Sequence, residues 1–129
     1  MLTWDEVRQC ADNGIEIGSH TYTHDVVSTI SDPAVLAFEL AESRRDMEAR
    51  LGRPVGILAL PNGQGNARVN AAATAAGYTQ VLYVGNKTNL LTALQAPPPH
   101  MLSRIATPPE SLPETALRIE LFHSRLRRQ

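Results

Sequence analysis

The apolar positions of this chain change their spacing several times, and each change marks an element. "TWDE" at residues 3–6 reads as a capping box, with Thr3 accepting from the backbone three residues on and Glu6 reaching back. The helix it opens is predicted to run to about Asn13, with Gly14 as its left-handed terminator. Trp4, Val7 and Cys10 recur at helical spacing, which predicts a buried face where a free thiol acts as a small hydrophobe. "IEIGSH" then alternates apolar and polar residues as a strand does, and ends at Gly18-Ser19. His20 and His24 therefore fall at or just beyond the C-terminal end of a strand.

The clearest helix follows. Asp32 supplies an N-cap and Pro33 a first-turn proline. Leu36, Leu40, Ser43, Met47 and Leu51 form one stripe, with Glu39, Glu42, Arg45 and Glu48 expected outside it and Gly52 as the stop. Beyond Arg53-Pro54, "VGILAL" is a continuous apolar run of the kind buried on both faces of a parallel sheet. "PNGQGN" breaks it sharply. "ARVNAAATAAG" predicts a helix of small residues that can approach a sheet closely and ends at Gly77, and "YTQVLYV" predicts the next strand. From Gly85 the pattern weakens. "QAPPPH" reads as a stiff extended linker, "MLSRIAT" as a last strand and "SLPETALRIELFHSRL" as a closing helix.

Helix and strand thus alternate along the chain, which implies parallel strands with covering helices and an α/β fold. In such folds chemistry gathers at the C-terminal ends of the strands. "GSHTYTHD" and "PNGQGN" both lie at such ends and could line one site.

At 129 residues the chain holds one domain at most, and its 43% apolar and 19% charged residues fit a globular protein. A net charge of -1 gives no global field toward nucleic acid or an anionic membrane. The one local excess, "RLRR" at Arg125, Arg127 and Arg128, reads as a solvated helix end. Cys10 is the only cysteine, so neither an internal disulfide nor a thiolate cluster can form. No apolar run is long enough to span a bilayer, and Met1 opens no signal-peptide pattern.

Two of the four histidines stand four apart, as His20 and His24. Imidazole is the commonest protein ligand of zinc and similar ions, and residues four apart in a helical turn point the same way. Catalytic zinc normally takes three protein ligands plus water, so a third, usually a carboxylate, would have to come from elsewhere. Spacing alone leaves a metal pair and two uncoordinated loop histidines both open.

The wider context adds to this. "HTYTH" preceded by "EIGS", then "ESRRDMEARLGRPV", "LALPNGQGN" and "AAGYTQVLYV", resembles the NodB-like polysaccharide deacetylases, carbohydrate esterase family four, over residues 2 to about 107. The family's second motif, His-Ser/Thr-x-x-His, is complete as His20-Thr21-Tyr22-Thr23-His24. The resemblance implies that His20 and His24 are two ligands of a divalent metal, most often zinc. The third motif is Arg or Ala, any residue, Pro, an aromatic and Gly, and here it reads Ala59-Leu60-Pro61-Asn62-Gly63. By resemblance Asn62 lends its backbone N–H to an oxyanion, a donor that survives the change of side chain, with Pro61 and Gly63 at the substrate. The plain reading of "PNG" is a tight turn.

Other family features are not found. The Thr-Phe-Asp-Asp stretch that supplies the general base and the third ligand lies, in the family, upstream of the first helix. No counterpart occurs in this sequence. Asp5, Asp12, Asp25, Asp32 and Asp46 are expected in helix or cap positions, with Asp25 as an outer neighbour of the metal at most. The late Leu-x-x-His motif fails at His123, because position 120 is Glu, and His123 is expected as an exposed helical residue. His100 matches no catalytic position.

The expectation is therefore a partial, distorted (β/α) barrel of parallel strands at residues 1–107, followed by a C-terminal helix and basic tail at 108–129. The function implied is a metal-dependent hydrolase removing N-acetyl or O-acetyl groups from an amino-sugar polymer or oligomer. This form is expected to be truncated and weakly active or inactive. Missing N-terminal strands or another chain would be needed to complete the barrel. The alternative is a non-catalytic remnant of the fold that binds glycan or a partner. The cellular location is not legible.

Overall fold

A computed structural model describes residues 2–85, 89 and 94–104. In chain order its elements are α1 (Trp4–Asp12), α2 (Pro33–Leu51), β1 (Ile57–Ala59), a single 3₁₀ turn (Pro61–Gly63), α3 (Ala67–Ala75), β2 (Gln80–Val84) and β3 (His100–Arg104). The expected closing helix, His123 and the arginines of "RLRR" lie outside the described residues.

The capping box at Thr3 is formed: its hydroxyl accepts from Glu6 N at 3.3 Å and its N–H donates to the Glu6 carboxylate at 2.7 Å. The backbone donor of Thr3, with its hydroxyl, holds the Glu6 carboxyl below the usual range. The face of α1 is less buried than its spacing predicted. Only Ala11 is buried, while Trp4, Val7 and Cys10 are half-buried. The reason is what α1 meets: the Arg50 guanidinium, 4.8 Å above the Trp4 ring, covers the indole in place of an apolar core.

α2 begins on Asp32, whose carboxylate accepts from Ala34 N at 2.8 Å, and stops at Gly52. Its stripe buries Leu36, Leu40, Ser43 and Leu51, but it buries Glu39 as well, at 3% exposure. Glu48, expected outside the stripe, is half-buried because its carboxylate accepts from Val55 N at 2.9 Å. Arg44 ties three elements together, bonding the Val55 carbonyl at 2.9 Å, the Ala76 carbonyl at 2.6 Å and Glu48 at 3.0 Å.

The three strands are parallel and lie side by side in chain order, β1–β2–β3. On the other side of β1, Ser19 makes a single parallel bridge to Leu58. Its N–H donates to the Ile57 carbonyl and its own carbonyl accepts from Ala59 N, both at 2.8 Å. The strand expected over "IEIGSH" thus contracts to one bridged residue on a sheet edge. Strands that neighbour in sequence also neighbour in space, as a barrel requires, whereas a doubly wound sheet reverses its order. This is a partial (β/α) barrel. Leu58, Leu60 and Val81 are sealed against Leu36 and Leu40 of α2 and Val69 and Ala73 of α3. Ile57 and Ala59, on the other side of β1, are only half-buried, so "VGILAL" is covered fully on one face and not on both.

Because the strands are parallel, Ser19, Ala59, Val84 and Arg104 all end at one edge of the sheet. His100 pairs with Gln80 at the start of β3, at the opposite edge.

Candidate active site

Ser19 roots the site. It is 1% exposed, and its hydroxyl donates to Ser43 Oγ at 3.0 Å. Ser43 lies 3.1 Å from the Tyr78 hydroxyl, and that phenol donates to the Leu40 carbonyl at 3.0 Å. Burial pushes the Tyr78 phenol above its usual range, outweighing the serine hydrogen bonds that lower it.

One residue later the chain leaves the sheet, and the His20 ring folds over the end of β1 with Nδ1 2.7 Å from the Ala59 carbonyl. A carbonyl only accepts, so Nδ1 carries the proton and the neutral ring keeps its lone pair on Nε2. That is the arrangement metal-binding histidines use, with the second nitrogen tied to a fixed acceptor.

His24 returns to the same place by an irregular loop. The helical turn expected from the spacing is not formed, because Thr21 and His24 both take left-handed conformations, at φ 71 and φ 70. Each costs about 1–3 kcal/mol for a residue with a side chain, so the surroundings must impose them. His24 N donates to Thr21 Oγ1 at 3.1 Å, closing the loop locally. Tyr22 N and Thr23 N each donate to the Glu39 carboxylate at 2.9 Å, and Thr23 Oγ1 donates to it at 2.7 Å. The His20 and His24 rings end with centroids 4.9 Å apart, edge to face at 67°. Both side chains are exposed.

The Pro61–Gly63 bend follows β1 directly. Gly63 N donates to the Leu60 carbonyl at 2.9 Å and Gln64 N to the Pro61 carbonyl at 3.2 Å. Asn62 is left-handed at φ 52 and exposed, while Pro61 and Gly63 are buried. Among the described residues, Asn62 N–H has no hydrogen-bond partner. Gly63 sits at φ 64, and a Cβ there would lie 2.2 Å from the backbone nitrogen of Val84. Arg104 Nη2 reaches the Leu60 carbonyl at 3.4 Å, so the end of β3 closes on the same bend.

The His20 ring is therefore brought to the strand end that the bend follows, with the His24 ring beside it. Among the described residues there is no group of three or more His, Cys, Asp or Glu side chains that could hold a metal. Asp25 is exposed in the irregular stretch after His24, not in a helix or cap as expected, and Asp46 pairs with Arg50 at 3.0 Å. The untied Nε2 of His20 and the neighbouring His24 imidazole are donors of the chemical type that a four-coordinate zinc-like ion takes. Glu39 was absent from the sequence-based site. It lies about 40° around the helix from Ser43, and only its charge argued against placing it on the stripe.

The sequence profile described as polysaccharide deacetylase matches residues 2–81, from α1 through the histidine loop, the bend and α3 into β2. The chain belongs to the polysaccharide deacetylase family. No curated protein matches it. Solved structures of deacetylases share the fold. A de-N-acetylase from Aggregatibacter actinomycetemcomitans is 20% identical at a TM-score of 0.74, over 92% of this chain and 53% of that one. The Streptococcus pyogenes deacetylase PplD, solved with acetate, is 23% identical at 0.73, over 91% and 50%. A polysaccharide deacetylase from Bacillus cereus is 21% identical at 0.74, over 92% and 36%. The chain thus spans about half the length of these deacetylases, or less. Among its described residues no helix is long and apolar enough to cross a membrane.

Proposed function

We propose that this chain carries part of the site of a metal-dependent deacetylase that removes N-acetyl or O-acetyl groups from an acetylated amino-sugar polymer. The observation that carries the reading is the approach of the His20 and His24 rings to 4.9 Å at the sheet edge that also bears the Pro61–Gly63 bend. His20 and His24 would hold a divalent ion, zinc being the one expected. Such an ion, when bound, supplies a Lewis acid for water and for the acetyl carbonyl.

The chain's own groups divide the remaining work. The Ala59 carbonyl fixes the tautomer and aim of His20. Asn62 N–H is the oxyanion donor, and because it belongs to the backbone, the missing aromatic side chain does not remove it. Pro61 and Gly63 hold that amide in place at the rim of the substrate site. Among the described residues no third His, Cys, Asp or Glu joins the pair in a metal-holding group, and the Glu39 carboxylate is taken up by Tyr22 and Thr23, so the general base is assigned outside them. The chain by itself is then expected to release acetate poorly, since a general base contributes about 10²–10⁴-fold.

Cobalt(II) titration of the purified chain, beside its His20→Ala/His24→Ala double variant, tests the ligand pair. Binding lost in the double variant supports it, and equal binding by both proteins would sink it. Robust metal-dependent acetate release from a chitin oligomer by this chain alone would contradict the assignment of the base. The lack of a third ligand group among the described residues favours a second reading, a non-catalytic glycan-binding role. Glycan binding that resists chelators and survives the double substitution would decide for it.

A further inference from the structure

Glu39 is a buried acid whose contacts all lead to one place. It is 3% exposed, and among the described residues no cation pairs with it. A carboxylate taken out of water needs donors in compensation. Here all three come from the loop between the histidines: Tyr22 N and Thr23 N on Oε2, each at 2.9 Å, and Thr23 Oγ1 on Oε1 at 2.7 Å. The two amides are consecutive and central in the five-residue motif. The left-handed residues Thr21 and His24 stand on either side of them, so the clamp grips the segment whose backbone is otherwise least favourable. Glu39 in turn cannot drift, because its neighbours on α2, Leu36 and Leu40, are locked in the core.

We propose that Glu39 is a positioning residue that holds the loop in the shape placing His24 against His20. This rests on the reading of both histidines as metal ligands. Groups that orient a metal ligand without touching the metal typically change affinity by 10–100-fold when removed. A merely structural acid would act through global stability alone, and the conservative variant separates the two roles. In Glu39→Gln the amide oxygen can still accept from both backbone donors, and the amide nitrogen can donate to Thr23 Oγ1. In Glu39→Ala all three donors lose their acceptor.

The experiment has two readouts on the metal-free and cobalt-titrated chain: the NMR contact between the two imidazoles, and cobalt(II) affinity. Leu51→Ala, a core change at the far end of α2, serves as the control for general destabilisation. At a temperature where all variants are folded, Glu39→Ala is expected to lose the ring contact and about 10–100-fold in affinity, and Glu39→Gln to stay within about threefold. Leu51→Ala should bind as the parent does. Retention of the ring contact or of parental affinity in Glu39→Ala overturns the proposal, as does an equal loss in Leu51→Ala. If no form binds cobalt, the ligand reading fails, and the ring contact still decides the clamp. If Glu39→Ala does not fold, Thr23→Val decides: removal of one of the three donors should weaken both readouts, and no change in either overturns the proposal.

Discussion

The histidine loop and the Pro61–Gly63 bend leave the same edge of the sheet, and both carry left-handed residues that are not glycine. Their supports are different. The loop is held by a side chain from another helix, Glu39, which receives three hydrogen bonds from Tyr22 and Thr23. The bend is held mainly by its own backbone bonds and by the packing of Gly63 against Val84, with Arg104 adding a long contact to the Leu60 carbonyl. A turn fixed from a distance can be loosened without breaking the sheet. A turn wedged against a strand cannot.

The strongest way to break that contrast is Gly63→Ala. The new Cβ meets backbone, and the residue must keep φ 64, so a loss of about 3 kcal/mol or more is expected in chemical denaturation. A loss below about 1 kcal/mol would show that the bend yields as easily as the loop. Glu39→Ala should cost less, about 1–3 kcal/mol, because the freed amides can turn toward water. Asn62→Ala is expected to cost about 1 kcal/mol for a left-handed residue, and Asn62→Gly close to nothing. Neither should alter cobalt binding, since only backbone is asked of that position. Asn66→Ala removes the cap that accepts from Val69 N at the start of α3 and should cost about 1 kcal/mol, read as a lower Tm.

The smallest effect is on pH dependence, and it sharpens the comparison because one tyrosine lies under each bend. Tyr78 bonds Ser43, which in turn receives the Ser19 hydroxyl below the loop, and Tyr83 packs beside Gly65 after the bend. Burial raises both phenols above their usual range. The folded state therefore keeps its protons where the unfolded chain has lost them. The stability contributed is complete below the ordinary tyrosine pKa and is lost as pH rises through the raised ones. Denaturation measured through that alkaline window should show stability falling with pH, with a shallower slope in Tyr78→Phe. An unchanged slope would count against burial as the cause.

Several features were legible in the residues because they are settled within a few positions along the chain. Thr3 with Glu6, Asp32 with Pro33, and the Pro-Asn-Gly bend are local bargains between side chains and nearby backbone, and each formed where its residue types predicted. The alternation of helical and extended periods likewise implied parallel strands. The path of the histidine pair was not legible, since left-handed Thr21 and His24 replace the helical turn that the spacing suggested.

What the sequence alone determined is the order of the three α-helices and three strands that formed among the described residues, and the residue types at the sheet's edge. Tertiary structure decided which of those residues meet: His20 with the Ala59 carbonyl, 39 positions away, and Tyr22 with Glu39, 17 positions away. It also decided that a glutamate sits inside α2's packed face and that "IEIGSH" is bridged at Ser19 alone. The physical reason is one of range. Caps and turns are fixed by neighbours a few bonds off, whereas the cost of burying a charge depends on donors that arrive only when distant segments pack.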